Sequence, residues 1–196
     1  MPHYSIVERI VRMLAAVMLG IGLAACAAEP QALDEMPSFY VSLASTRAEV
    51  DAKAAASMIS SFRRNNGLGA VHVDRELMRL AQEQARTMAA RNEVGHNVGV
   101  RFSERVRNST VRARSVVENV AAGYHTLAEA FSGWRDSPGH RANMLTPEAT
   151  RMGIAAVYAP GSKYKVFWAL ILASPNEGQN DQQNPRVWPF MVLPRT

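Results

Sequence analysis

Two histidines and one glutamate are the side chains of this sequence whose types could carry chemistry. His96 follows Gly95 and His140 follows Gly139, so each lies in a turn-like context rather than on an apolar stripe. Glu118 lies in a mostly apolar stretch, where a buried carboxylate needs polar partners. Two imidazoles and a carboxylate match the three protein ligands of catalytic zinc, with a fourth position open. They predict a divalent-cation site on His96 and His140, and Glu118 is either a further ligand or a buried hydrogen-bond acceptor.

A second arrangement, close to His140, has the residue types of a serine hydrolase. Ser137 would be the nucleophile, His140 the base and Asp136 the group that orients the base. The pair Ser137-Pro138 is also typical of a helix start, with the hydroxyl as N-cap and proline at the first helical position. We favour the cap over the nucleophile.

Three segments with helical spacing of apolar residues must position these side chains. The first runs from Ser45 to the C-cap signal at Asn65-Asn66-Gly67. The second follows Asp74, and the third begins with a capping box between Thr126 and Glu129. The second has the strongest period, and its stripe consists of Leu77, Leu80, Ala81, Gln84, Ala85, Met88 and Ala89.

Two segments near the C-terminal end predict strands, and they decide the fold class. They run from Met152 to Tyr158 and from Lys165 to Leu172, with a hairpin turn at 159–162. The second is apolar throughout, which indicates a strand buried on both faces. Helices should therefore cover both sides of a mainly antiparallel central sheet. The predicted fold is a single α/β domain, a three-layer α/β/α sandwich.

Ordered motifs across residues 58–174 carry a resemblance to a known family. The most specific block runs from Trp134 to Leu145. Shorter blocks precede and follow it: Phe62-Arg63-Arg64, Gly95-His96, Glu118 to Tyr124, and Gly153-Ile154-Ala155. Together they resemble the CAP superfamily, named for cysteine-rich secretory proteins, antigen 5 and pathogenesis-related 1 proteins, in its cysteine-poor bacterial branch.

The resemblance implies a cleft in which His96, Glu118 and His140 match three of the family's four cleft residues. The second acidic residue does not carry over, because Arg135-Asp136-Ser137 replaces the segment that holds it in eukaryotic members. Val117 also replaces the glycine that usually precedes Glu-Asn. Some members bind sterols or fatty acids, and no single activity is common to all. The resemblance therefore favours a binding module and does not select its ligand.

The N-terminal 25 residues have the pattern of an export signal. Arg9 and Arg12 precede an apolar run from Met13 to Leu23, which is about half the roughly 20 residues that a spanning helix needs. The following Ala24-Ala25-Cys26 completes a sequence that resembles the bacterial lipobox, in which the cysteine is acylated and becomes the first residue. Ala27 stands where an aspartate would favour the inner membrane, so this resemblance implies an anchor in the outer membrane, facing the periplasm.

Composition excludes several function classes. The chain has 196 residues, a net charge of +5 and one cysteine, which rules out an intramolecular disulfide and thiolate zinc clusters. A basic run from Arg101 to Arg114 contains five arginines and one acid, so it is either a solvated helix face, which we favour, or an attractor of membrane phosphates. The run lacks stacking aromatics, and the chain carries an export signal, so nucleic acid is not an expected partner.

The predicted organisation is a signal peptide (1–25), a linker (26–50), a CAP-like domain (51–174) and a C-terminal tail (175–196). The tail ends in an apolar run, 187–193, that either packs on the domain or binds a partner. Three functions follow. The first is a lipid-anchored binding module whose cleft takes a divalent cation, a lipid or another small ligand. The second is a metal-assisted hydrolase of envelope peptide or glycan, with Glu118 as general base. The third is a structural protein that binds an envelope partner.

Overall fold

The computed structural model describes residues 36–175. The predicted signal segment, Cys26 and the apolar run of the tail lie outside the described residues. Among the described helices, none combines the length and apolarity that a membrane crossing requires.

One sheet of four strands forms the centre of the domain. In chain order the strands are β1 (His72–Val73), β2 (Val116–Ala122), β3 (Arg151–Ala159) and β4 (Lys165–Ala173). Their order across the sheet is β1-β3-β4-β2. Strand β4 pairs antiparallel with β2 and with β3, and β1 pairs parallel with β3. All residues of β4 after Lys165 are buried, as its unbroken apolar run predicts.

Five α-helices and one short 3-10 helix, Ser38–Tyr40, accompany the sheet in the described part of the chain. The three predicted helices and the helix start at Pro138 are present, and a further helix lies within the basic run, which the sequence favoured as a helix face. The helices are α1 (Ala52–Arg64), α2 (Arg75–Arg91), α3 (Phe102–Arg107), α4 (Leu127–Asp136) and α5 (Pro138–Met144).

Helices cover both faces of the sheet, which confirms the predicted α/β/α sandwich. Trp168 and Leu170 of β4 belong to the core that α1, α4 and α5 share with one face. Phe167 and Ala169 belong to a second core, with the predicted stripe of α2. Successive strand residues point to opposite faces, so one apolar strand supplies both cores.

Helix α2 packs so closely against β3 that backbone lies directly against backbone. A Cβ atom at Gly153 would overlap the backbone of Leu77 and Met78. Glycine at this position therefore permits the close approach of helix and strand. This approach explains why glycine stands in the motif Gly153-Ile154-Ala155.

The stretch from Met36 to Val50, which the sequence predicted as linker, packs against the domain instead. Leu43 is 5% exposed, and its N–H donates to the His125 carbonyl over 2.7 Å. The start predicted for α1 at Ser45 is also wrong. Asp51 is the N-cap, because its carboxylate accepts from the N–H groups of Lys53 and Ala54.

Acid is expected to remove a specific contribution of Glu76 to stability. Hydrogen bonds from Arg79 and from the Thr110 N–H lower the pKa of Glu76 from 4.5 to about 2. A lowered folded-state pKa stabilises the protein above the unfolded value, and this stabilisation is lost as pH falls toward 2. We expect Glu76→Gln to lower the urea midpoint at pH 6, with the difference vanishing near pH 2. Glu83→Gln, which removes a more exposed partner of Arg79, should change the midpoint less. A difference independent of pH would contradict this assignment.

Candidate functional site

Glu118 lies in the middle of β2, opposite Ile171 of β4. Its side chain is only 1% exposed, so the carboxylate depends on protein partners. Strand β2 lies at one edge of the sheet, and α5 covers that edge through Asn143, whose amide donates to the Glu118 carbonyl over 3.0 Å. The same amide donates to Oδ1 of the fully buried Asn119 over 2.9 Å.

Arg105 of α3 is the closest charged partner of Glu118. Its Nη2 lies 3.0 and 3.2 Å from the two carboxylate oxygens, and the Arg105 side chain is 3% exposed. His96 provides the other partner, with Nδ1 3.0 Å from Oε2. A carboxylate only accepts hydrogen bonds, which places a proton on Nδ1 and leaves the lone pair of the neutral ring on Nε2. Glu118 is therefore a buried acceptor that orients His96.

The loop that carries His96 is fixed from two sides. Helix α2 ends at Arg91, and its C-cap Asn92 adopts the left-handed conformation with φ 50°, which reverses the chain. The fully buried Gln84 donates from Nε2 to the Gly95 carbonyl over 2.6 Å, and Arg105 donates to the His96 carbonyl over 3.0 Å. The imidazole itself is 48% exposed. Rigid backbone thus presents a solvent-accessible ring.

His140 lies on α5, not in a turn as its sequence context indicated. Asn119 donates from its side-chain amide to the His140 carbonyl over 2.9 Å, which fixes α5 to β2. Burial lowers the pKa of His140, and the positive charge of a protonated His96 lowers it further. Burial therefore favours the neutral imidazole at His140, the form that binds metals.

The proposed serine hydrolase arrangement does not form. Ser137 is the N-cap of α5 with proline next, as predicted, but its hydroxyl makes no capping hydrogen bond. The Asp136 carboxylate pairs with Arg135, with Nε and Oδ1 2.8 Å apart, and that arginine lowers the pKa of Asp136. Within residues 36–175, no hydrogen bond links Ser137 to His140.

The described residues do not form the three-ligand metal site that the residue types predicted. Among the described residues, no three His, Cys, Asp or Glu side chains lie close enough together to hold a metal ion. Glu118 is engaged by Arg105 and His96, which leaves the two imidazoles as the available ligands. The carboxylate behind His96 has the orienting role that second-shell carboxylates have at metal-binding histidines.

The arginines of the basic run have different surroundings and different roles. Arg105 is buried beneath the site, whereas Arg112 donates to the carbonyls of Ser109 and Val111 in its own loop. Sequence reasoning missed Arg105 because it lies among exposed arginines. The signal that could have found it is Phe102 three residues earlier, since apolar and buried residues share one face of α3.

A three-layer sandwich with a buried glutamate on an edge strand, one histidine in a loop and another on a short helix is typical of a CAP domain, which is also called an SCP-like domain. A family model for CAP, the cysteine-rich secretory protein family, matches residues 56–172. The chain belongs to this family.

Three relatives illustrate the similarity. The uncharacterized protein YkwD of Bacillus subtilis is 26% identical over 107 residues, which are 54% of this chain and 42% of that protein. An extracellular SCP-domain protein of Bacillus anthracis aligns with a TM-score of 0.55 and 21% identity, over 63% of this chain and 40% of that one. An outer surface protein of Borrelia burgdorferi aligns with a TM-score of 0.57 and 17% identity, over 66% of this chain and 98% of that one.

These similarities define the domain and its fold. The chain spans about two fifths of the length of the two Bacillus proteins. At these identities, the solved structures inform the architecture and not the ligand.

Proposed function

We propose that this protein is a lipid-anchored, extracytoplasmic CAP-domain binding module, and that His96 and His140 bind a divalent cation such as zinc. The observation that carries the proposal is the hydrogen-bonded series Arg105–Glu118–His96. It holds one imidazole with its Nε2 lone pair free, and the neutral form is favoured at the second imidazole. Bound metal would supply a Lewis acid with positions open for an anionic or carbonyl-bearing ligand.

The contacts of Glu118 favour binding over hydrolysis. A general base must reach the proton that it removes, directly or through one water. Glu118 is 1% exposed and already accepts from Arg105 and His96. A binding role requires only that Glu118 orient His96, which these contacts achieve.

Zinc titration tests the cation site. We use the chain from Ala27 to Thr196, which contains every described residue. We expect about one zinc per chain with micromolar affinity, because two imidazoles form a weaker site than three or four protein ligands. The double variant His96→Ala/His140→Ala should bind at least tenfold more weakly, as measured by calorimetry and elemental analysis. Affinity should fall as the pH is lowered, because protons compete with the metal for the imidazole nitrogens.

His72 and His125 provide the matched control, since both are exposed and neither side chain takes part in this hydrogen-bond series. The variant His72→Ala/His125→Ala should bind zinc as the unmodified chain does. Absence of zinc binding by the unmodified chain would overturn the cation proposal. Equal losses in both double variants would show nonspecific binding to histidine, and would overturn it as well.

Acylation of Cys26 is the anchoring part of the proposal, and several acyl chains would hold the protein stably on a membrane. We expect Cys26→Ser to move the protein from the membrane fraction to the soluble extracytoplasmic fraction. Ala27→Asp, which keeps the cysteine, should stay membrane-bound and shift from outer to inner membrane. Equal partition of the unmodified chain and Cys26→Ser would contradict acylation.

A further inference from the structure

The outer edge of β3 is paired over only part of its length. Strand β1 pairs with Arg151 and Met152, and its last contact is the Asp74 N–H donating to the Met152 carbonyl over 2.8 Å. Within residues 36–175, no strand pairs with β3 beyond this point on that side. The remaining edge, from Ile154 to Tyr158, is called here the open edge.

The register shows which backbone groups face the open edge. In β4, the Ser174 N–H and the Val166 carbonyl bond toward β2, so the odd-numbered residues between them bond toward β3. Their partners in β3 include Ala155 and Val157. Because backbone groups alternate in direction along a strand, those of Ile154, Ala156 and Tyr158 face outward.

A groove of about 440 Å³ runs beside the open edge, between α2 and the segment Ser45–Val50. The Ile154 N–H points to the sulfur of Met78 over 3.2 Å. In the described chain, no backbone group of Ser45–Val50 bonds to β3. The N–H and C=O groups of Ala156 and Tyr158 therefore lie unpaired next to a space, which is the geometry of strand addition.

We propose that residues 187–193 of the same chain occupy this groove as a fifth strand. The sequence Val-Trp-Pro-Phe-Met-Val-Leu is rich in the aromatic and β-branched residues that sheets favour. Described structure ends at Pro175, just after β4, whose end is paired with the start of β3 through Ala173 and Arg151. Residues 176–186 can span about 36 Å, whereas β4 and the new strand are only about 10 Å apart.

Pro189 specifies how this strand adds. Proline has no N–H, so it must face away from β3. The even-numbered residues Trp188, Phe190 and Val192 then direct their N–H and C=O groups to the open edge. Attachment to the same chain raises the effective concentration of the segment to about millimolar, so it outcompetes a dilute second copy.

Amide hydrogen exchange resolved by residue tests the proposal. We compare the chain Ala27–Thr196 with the chain Ala27–Pro175, which retains every described residue. Removal of the tail should speed exchange at Ala156 and Tyr158 at least tenfold. Exchange at Ala155 and Val157, which bond to β4, should not change. These two residues are the internal control for a domain that stays folded. Equal rates at Ala156 and Tyr158 in both chains would overturn the proposal.

Two proline substitutions test the register. Val192→Pro removes a donor that faces β3 and should speed exchange at the open edge, whereas Met191→Pro removes an outward donor and should not. Equal effects of both substitutions would overturn the assignment of the even-numbered residues to the open edge. Protection of the full chain that falls on tenfold dilution would assign the edge to a second copy and would also overturn the proposal.

Discussion

Replacing Arg63 with methionine is expected to lower the free energy of unfolding by at least about 4 kcal/mol. Arg63 is fully buried at the end of α1 and donates to five carbonyl oxygens. A buried acceptor that loses its donor costs about 1–3 kcal/mol, and methionine restores none of these bonds. The acceptors belong to Gly69, Met144, Thr146, Pro147 and Ala149.

Arg63 also ties α1 to the end of α5, the helix that carries His140. Burial lowers the pKa of Arg63, but a guanidinium stays charged at neutral pH. Urea unfolding monitored by the fluorescence of the buried Trp134–Trp168 pair measures the loss. Lysine at position 63 keeps the charge with fewer donors, so Arg63→Lys should lose less than Arg63→Met.

The neighbouring Arg64 is the matched control for Arg63. It is exposed, and its one side-chain hydrogen bond is to Ser61. Arg64→Met should change the free energy of unfolding by about 0.5 kcal/mol or less. Similar losses at positions 63 and 64 would show that the charge near the end of α1 matters rather than the buried hydrogen bonds.

Hydrophobic periodicity predicted the elements in which all residues of a face, or of both faces, are buried. The stripe of α2 faces one core, and the apolar run of β4 is buried on both faces. Strand β2 was not predicted, because Glu118 and Asn119 interrupt it with polar residues that disfavour a central strand. Arg105 and Asn143 satisfy those polar groups, and tertiary contacts of this kind leave no local signal in the sequence.

Residue types and motifs predicted the three candidate cleft residues, but not what connects them. His96 and Glu118 are in direct contact, as the hydrogen-bond interpretation of Glu118 requires. The roles of Arg105 and Gln84 follow from their burial beneath the site, which the sequence does not show. Arg105 lay within a basic run, and Gln84 within a helix stripe that predicted only packing. The spacer predicted before α1 failed because a few apolar residues, such as Leu43, find a core that composition alone does not reveal.

Removing both Arg105 and Glu118 is expected to destabilise the protein much less than the sum of the two single removals. Each single change leaves the partner charge buried and unpaired, which costs about 3–5 kcal/mol. We expect Arg105→Met and Glu118→Gln each to lower the free energy of unfolding by about 3 kcal/mol. The double variant should lose at least about 2 kcal/mol less than the sum of both, because no unpaired charge remains.

The exposed pair Arg101–Glu104, in the same segment, is the control for this double-mutant cycle. Its charged atoms are 3.9 Å apart, and its side chains are 72% and 40% exposed. The cycle of Arg101→Met and Glu104→Gln should give a coupling below about 0.5 kcal/mol. Equal coupling in both cycles would contradict a special role for the buried pair.

The variant Arg105→Met/Glu118→Gln also separates stability from function. It should recover much of the stability that each single variant loses, but it lacks the carboxylate that orients His96. Its zinc affinity should therefore fall although the protein stays folded.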